Sequence, residues 1–198
     1  MSKTVLVTGI GGNVAQGILR NIRCEDKDII LIGTNTEQVS PGNHLCNAVY
    51  KVPFASDSGF IPAMHEICEK HQVDLVVPST DYEGYYLGLE KKSLPDVAVS
   101  SPEVTSVFLN KYKTWQNFNQ LELPFAETVL PSEYNGQFKE IIVKPAEGRG
   151  SRDIYVNHAD PTSFSDDFII QRLYRGSEIT TAFYVRRDGG LDGHITMT

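Results

Sequence analysis

"IIVKPAEGRGSRDIYV", residues 141–156, runs from an apolar segment into Lys144 and Pro145, then through Gly148, Arg149, Gly150, Ser151 and Arg152 into a second apolar alternation. Its first half has the composition of a buried strand and its second half that of another. The loop between them is too long and too basic for a two-residue hairpin turn. A lysine at the end of a buried strand is a fixed cation. Glycines beside it free backbone N–H donors to fold over an anion, and Ser151 adds a further donor. No Gly-Lys-Ser/Thr opens a helix here, so the stretch is not a Walker loop. The same residues also suit a solvated hairpin whose charges keep it soluble. Taken alone, the stretch leaves both readings open.

Upstream, "TVLVTG" (4–9), "DIILIG" (28–33), "NAVYKVP" (47–53), "VDLVVPS" (73–79) and "DVAVS" (96–100) read as strands. "NVAQGILRNIRC" (13–24), with Val14, Ile18, Leu19 and Ile22, has helical spacing, as does "GFIPAMHEICEKH" (59–71), with Ile61, Met64, Ile67 and Cys68. Strands alternating with helices predict crossover connections and a doubly wound parallel sheet. Residues 102–123 read as helical with a break near Asn110. Beyond Pro124 no long helical period remains. "FAETVL", "EIIVKP", "RDIYV", "DFIIQRL" and "EITTAFYVRRDG" read as antiparallel strands, and Asp188, Gly189 and Gly190 as a hairpin turn. The chain stops at Thr198 inside a strand pattern, which reads as a truncated chain, with a short natural protein ending on an edge strand as the competing reading.

The 198 residues carry a formal net charge of −7, with 40% hydrophobic and 22% charged residues. That balance fits a globular chain with one large domain or two small ones. It disfavours non-specific nucleic-acid or anionic-membrane binding. No apolar run approaches the ~20 residues of a membrane span, and "MSKTVLVTG" shows no signal-peptide cleavage pattern. Cys24, Cys46 and Cys68 are too widely spaced for a disulfide framework or a zinc knuckle and read as cytosolic free thiols, so the expected location is cytoplasmic.

"GIGGNVAQG" (9–17) places glycines where a strand turns into a helix, a position suited to phosphate. The dinucleotide fingerprint departs twice. Val14 stands where the third glycine belongs, and Asn35 where a ribose-binding acid is expected, with Glu37 late. A structural tight turn in a Rossmann-like sheet is the competing reading.

The ordered set Val143-Lys144-Pro145, Gly148–Ser151, Ile169–Leu173 and Gly176-Ser177-Glu178 resembles the ATP-grasp superfamily. Upstream, "LNKYKTWQNF" (109–118) looks like the family's helix with a nucleotide-contacting lysine, although Asn110 stands where Asp is usual, and "VVPSTDYEG" (76–84) resembles its preceding sheet. The nearest resemblance is to carbamoyl-phosphate synthase large-chain-like proteins. It implies a Rossmann-like pre-ATP-grasp domain over residues 1–102. Over 103–198 it implies the start of an ATP-grasp domain: a helical linker (103–123), a mostly antiparallel β lid subdomain (124–175) and the beginning of a C-terminal subdomain (176–198), incomplete at the C-terminus.

The resemblance also implies roles. Lys111 and Lys144 would contact ATP phosphates, and the loop Gly148, Arg149, Gly150, Ser151 would close over them. Gln171 would stand where the family often has an acid facing the adenine amino group, the Leu173 backbone would read the adenine edge, and Glu178 would accept from ribose hydroxyls. The plainer readings are a solvated turn carboxylate for Glu178 and an exposed strand position for Gln171. The family's Mg²⁺ ligands and catalytic arginine would lie beyond residue 198, so no metal ligand or catalytic residue is assigned. This chain alone is expected to bind ATP weakly and turn none over.

The function implied is an ATP- and Mg²⁺-dependent ligase that activates a small carboxylate as an acyl phosphate for attack by an amine, with a homodimer left open. The rivals are a Rossmann-type NAD(P)-dependent or nucleotide-sugar oxidoreductase or epimerase, for which no Tyr-x-x-x-Lys spacing is found, and a non-catalytic nucleotide-sensing module.

Overall fold

In the computed structural model, which describes residues 2–148 and 150–198, the apolar run at the N-terminus becomes the centre of a parallel sheet. Strands β1 (Thr4–Val7), β2 (Ile30–Asn35), β3 (Ala48–Lys51), β4 (Leu75–Val77) and β5 (Asp96–Val97) lie in the order β3-β2-β1-β4-β5, every neighbouring pair parallel. Side chains alternate across each strand. Leu6, Ile32 and Val76 therefore face one layer, built on Phe60, Met64 and Leu87. Val5, Val7 and Leu31 face the other, built on Ala15 and Leu19. Apolar burial on both faces is why these strands read as continuous hydrophobic runs.

Helix α1 (Asn13–Glu25) covers the second face and α2 (Phe60–His71) the first. The α1 stripe is shifted from the sequence expectation. Ala15 and Leu19 are buried while Val14 is 58% exposed, because Val14 sits in the first turn on the solvent side. Helix α3 (Asp81–Leu89) was not legible as a helix. It has apolar residues on several sides and glycines at 84 and 88, so it shows no 3.6-residue stripe. Helices α4 (Pro102–Leu109) and α5 (Lys111–Gln120) meet at Asn110, as the sequence suggests. Its Oδ1 accepts from the Tyr112 and Lys113 N–H groups at 3.0 and 3.1 Å, capping α5.

The chain divides into two compact units, Met1–Leu123 and Pro124–Thr198. In the second unit, β6 (Thr128–Val129), β7 (Ile141–Pro145), β8 (Tyr155–Val156) and β9 (Phe168–Arg172) form an antiparallel sheet in the order β6-β9-β7-β8. Its buried face carries Ile141, Val143 and Ile170 against Phe138. The strand expected over "RDIYV" shortens to two residues, because Asp153 takes a left-handed conformation with φ 54°. Strands β10 (Thr180–Val185) and β11 (Leu191–Met197) make a separate hairpin. Its turn is closed by Arg186 N–H donating to the Gly190 carbonyl at 2.9 Å, with Gly189 at φ +83°. Among the described residues no helix is long and apolar enough to cross a membrane.

Candidate functional site

The face of the β6-β9-β7-β8 sheet opposite its core carries a row of polar side chains. Gln171 is paired in register with Thr128 on one side and Ile142 on the other, so Thr128, Gln171 and, two residues beyond Ile142, Lys144 project to the same face. Lys144 Nζ donates to Gln171 Oε1 at 2.9 Å. Gln171 Nε2 donates to Thr128 Oγ1 at 2.8 Å and to the Ala126 carbonyl at 3.4 Å. Thr128 Oγ1 donates to that same carbonyl at 2.8 Å. Gln171 is buried, not on an exposed side of its strand, and Thr128 is fully buried. A half-buried ammonium is thus held by a hydrogen-bonded chain rooted in the backbone. Gln171 Oε1, with two lone pairs, spends one on Lys144 and keeps one for another donor.

The loop leaving β7 is anchored at both ends. Ala146 N–H donates to the Asp167 carbonyl at 2.7 Å. Beyond the loop, Ile141 N–H donates to Asn157 Oδ1 and Asn157 N–H to the Ile141 carbonyl, each at 2.9 Å. Between these anchors Gly148, Gly150, Ser151 and Arg152 are exposed. Gly150 has φ +69° and Ser151 φ 53°. Nothing lies within 4 Å of a Cβ built on Gly150, so backbone conformation and not crowding calls for glycine there. Arg149, expected in this loop, lies outside the described residues.

The remaining expected residues are placed less tightly. Leu173 N–H is already bonded to the Glu140 carbonyl at 2.9 Å, so the Leu173 backbone could offer a ligand only its carbonyl. Glu178 is exposed between β9 and β10. Lys111 is the first residue of α5, in the other compact unit, immediately after the Asn110 cap. Asn110 caps the helix by the same hydrogen bonds that an Asp would make. Among the described residues no group of three or more His, Cys, Asp or Glu side chains is placed to hold a metal ion.

In the first unit the space beside Gly9, at the head of the glycine loop, is occupied by protein. Gly9 has φ +60°, and a Cβ there would meet Ser79 Oγ at 2.6 Å and Glu83 Oε2 at 3.2 Å. Glu83 is buried and accepts from Thr8 Oγ1 at 2.8 Å and Thr80 Oγ1 at 2.7 Å. This lies outside the carboxyl ends of β1 and β4, where the strand order reverses and open α/β sheets bind ligands. A carboxylate beside Gly9 opposes a pyrophosphate there. The sequence reading missed Glu83 and Thr128. For Glu83 the signal was present as Thr80-x-x-Glu83, a capping-box spacing. For Thr128 no local signal exists. A groove of 650 Å³ lined by His65, Glu69, Asp74 and Ser93, among others, includes none of the expected site residues.

The fold, a five-stranded parallel sheet followed by antiparallel sheets, matches about half of the chain of several solved enzymes. N5-carboxyaminoimidazole ribonucleotide synthetase from Thermotoga maritima is 12% identical with a TM-score of 0.68, over 98% of this chain and 53% of its own. The L-amino acid ligase from Bacillus licheniformis is 11% identical with a TM-score of 0.71, over 96% of this chain and 48% of its own. The biotin carboxylase domain of 2-oxoglutarate carboxylase from Hydrogenobacter thermophilus, solved with MgADP, is 12% identical with a TM-score of 0.62, over 87% and 44%. The chain spans about half the length of these structures. Residues 5–100 match the family model described as the PylC-like N-terminal domain. No curated protein sequence matches the chain.

Proposed function

We propose that the chain is the nucleotide-facing part of an ATP-grasp ligase, which activates a carboxylate as an acyl phosphate for attack by an amine. The observation that carries this reading is the polar face of the β6-β9-β7-β8 sheet. There Lys144 is held by Gln171 at 2.9 Å, at the root of a loop containing Gly148, Gly150 and Ser151. A preorganised cation beside donor-rich backbone is what transfer of a phosphoryl group requires of a protein. Lys144 would bind phosphate oxygens, the loop backbone would donate to them and exclude water, and Gln171 would accept from the adenine amino group. Lys111, Leu173 and Glu178 keep the roles that the resemblance implies. Mg²⁺, when bound with the nucleotide, supplies further charge neutralisation, and no residue of this chain is assigned to it. Carbamoyl-phosphate synthase-like chemistry is the finer form of this proposal. The match of residues 5–100 to the PylC-like N-terminal domain does not extend to that finer form. The oxidoreductase reading loses its footing, since Glu83 stands beside the glycine loop on which it depended.

Calorimetric titration of the purified chain with ATP and with NADH tests the reading. ATP should bind and NADH should not. Lys144→Ala should weaken ATP binding, and in a complete enzyme should lower turnover about a hundredfold, the loss of ~3 kcal/mol expected on removing a preorganised donor. Tight NADH binding without ATP binding, or full ATP affinity in Lys144→Ala, would overturn it.

A further inference from the structure

We infer that Thr128 is a positioning residue for the Lys144 ammonium, acting through the side-chain amide of Gln171. Thr128 Oγ1 has a single proton, and it is given to the Ala126 carbonyl at 2.8 Å. Toward Gln171, therefore, the Thr128 oxygen can only accept, and the Ala126 carbonyl can only accept as well. Both face Gln171 Nε2, at 2.8 and 3.4 Å. On the opposite side the Lys144 ammonium can only donate, and it meets Oε1 at 2.9 Å. Turning the amide over would set the Ala126 carbonyl against Oε1, cost Thr128 its bond to that carbonyl, and set a cation against an NH₂ group. Thr128, 0% exposed and 43 residues from Gln171 in sequence, therefore fixes which atom Lys144 meets.

The relay has a second property. Gln171 is neutral, so it orients the lysine without adding a countercharge. A glutamate at 171 would reach the same atoms but would place a carboxylate against the Ala126 carbonyl and force Thr128 to turn its proton. The Thr128-Gln171 pair is suited to holding a lysine in place for a polyanionic ligand such as the nucleoside triphosphate of the proposed function. Only the ATP arm of the test rests on that reading.

The test compares the unaltered chain with Thr128→Val, which keeps the shape and removes the hydroxyl, and with Thr128→Ser, which restores it. The ligand-free readout is the rate at which an amine-reactive ester acylates Lys144, followed by peptide mass spectrometry. Acylation needs the lysine nitrogen released from Gln171 Oε1, and an amide no longer held by Thr128 holds it less firmly. Thr128→Val should speed acylation of Lys144 about fivefold, the effect of losing one hydrogen bond, with Thr128→Ser close to the unaltered chain. In parallel, the valine variant should bind ATP about fivefold more weakly. If Thr128→Val does not fold, Gln171→Met gives the same labelling readout from the other member of the relay. Unchanged acylation in the folded variant overturns the inference. Faster acylation in a chain that binds no ATP upholds the relay and counts against the nucleotide reading alone.

Discussion

Removing the Glu83 carboxylate is a severe perturbation of the first unit, and its size follows from the hydrogen bonds. In Glu83→Ala the hydroxyls of Thr8 and Thr80 lose a charged acceptor at 2.8 and 2.7 Å. Each such bond contributes about 1.5–3 kcal/mol. Part of that loss is returned, because a buried carboxylate no longer has to be desolvated. The cap of α3 survives, since Thr80 Oγ1 still accepts the backbone N–H of residue 83 at 3.3 Å. Thr8 Oγ1 also keeps the Ser79 N–H. The net loss expected is about 3 kcal/mol, against which Glu83→Gln, whose amide oxygen can accept from both hydroxyls, should cost about 1 kcal/mol. For a unit of this size the alanine variant should melt on the order of 10 °C lower. Thermal and guanidinium melts of the three proteins, monitored by circular dichroism, give both numbers. An alanine variant within about 1 kcal/mol of the unaltered chain, or a glutamine variant as unstable as alanine, would refute the reasoning that charge-assisted bonds hold β1 to α3.

Hydrogen exchange should find the amides of Glu147, Gly148, Gly150 and Ser151 among the least protected in the interior of the chain, and ATP should slow them as lid closure does. An already protected loop that ATP leaves unchanged would mark a structural hairpin. Ala146, donating to the Asp167 carbonyl, should be protected in both conditions and marks where the loop begins. Burial pushes the thiols of Cys46 and Cys68 up from 9.0 to about 11, the Arg23 charge partly opposing this at Cys46. The folded chain therefore holds protons that the unfolded chain releases, and stability present below pH 9.0 should be lost as pH rises toward about 11. Melts between these pH values should fall less steeply in Cys46→Ala and Cys68→Ala, and equal slopes would count against the assignment. At neutral pH, Cys24, the exposed thiol, should be the first alkylated.

Much of the first unit was legible because its signals are local. A strand buried on both faces must be apolar at every position, so "TVLV" and "ILIG" announce themselves. The break at Asn110 is a property of one cap, and the hairpin turn of a few residues with one glycine at positive φ. Which apolar residue of α1 faces the sheet, Val14 or Ala15, is not local. It depends on how the helix is rolled against Val5 and Val7. Helix α3 was hidden because, with apolar residues on several sides, it lacks the stripe that sequence reading relies on.

At the candidate site, the sequence by itself determined that a lysine ends a buried strand and that a glycine-bearing loop follows, because both are written in consecutive residues. Tertiary structure decided what that lysine meets. Lys144 and Gln171 are 27 residues apart, Gln171 and Thr128 are 43 apart, and Thr8 and Glu83 are 75 apart. A hydrogen bond is specified by ångströms and by the direction of one proton, and neither has a period along the chain. Antiparallel register alone brings Thr128, Gln171 and Lys144 to one face, and the single hydroxyl proton of Thr128 then sets which way the amide must point.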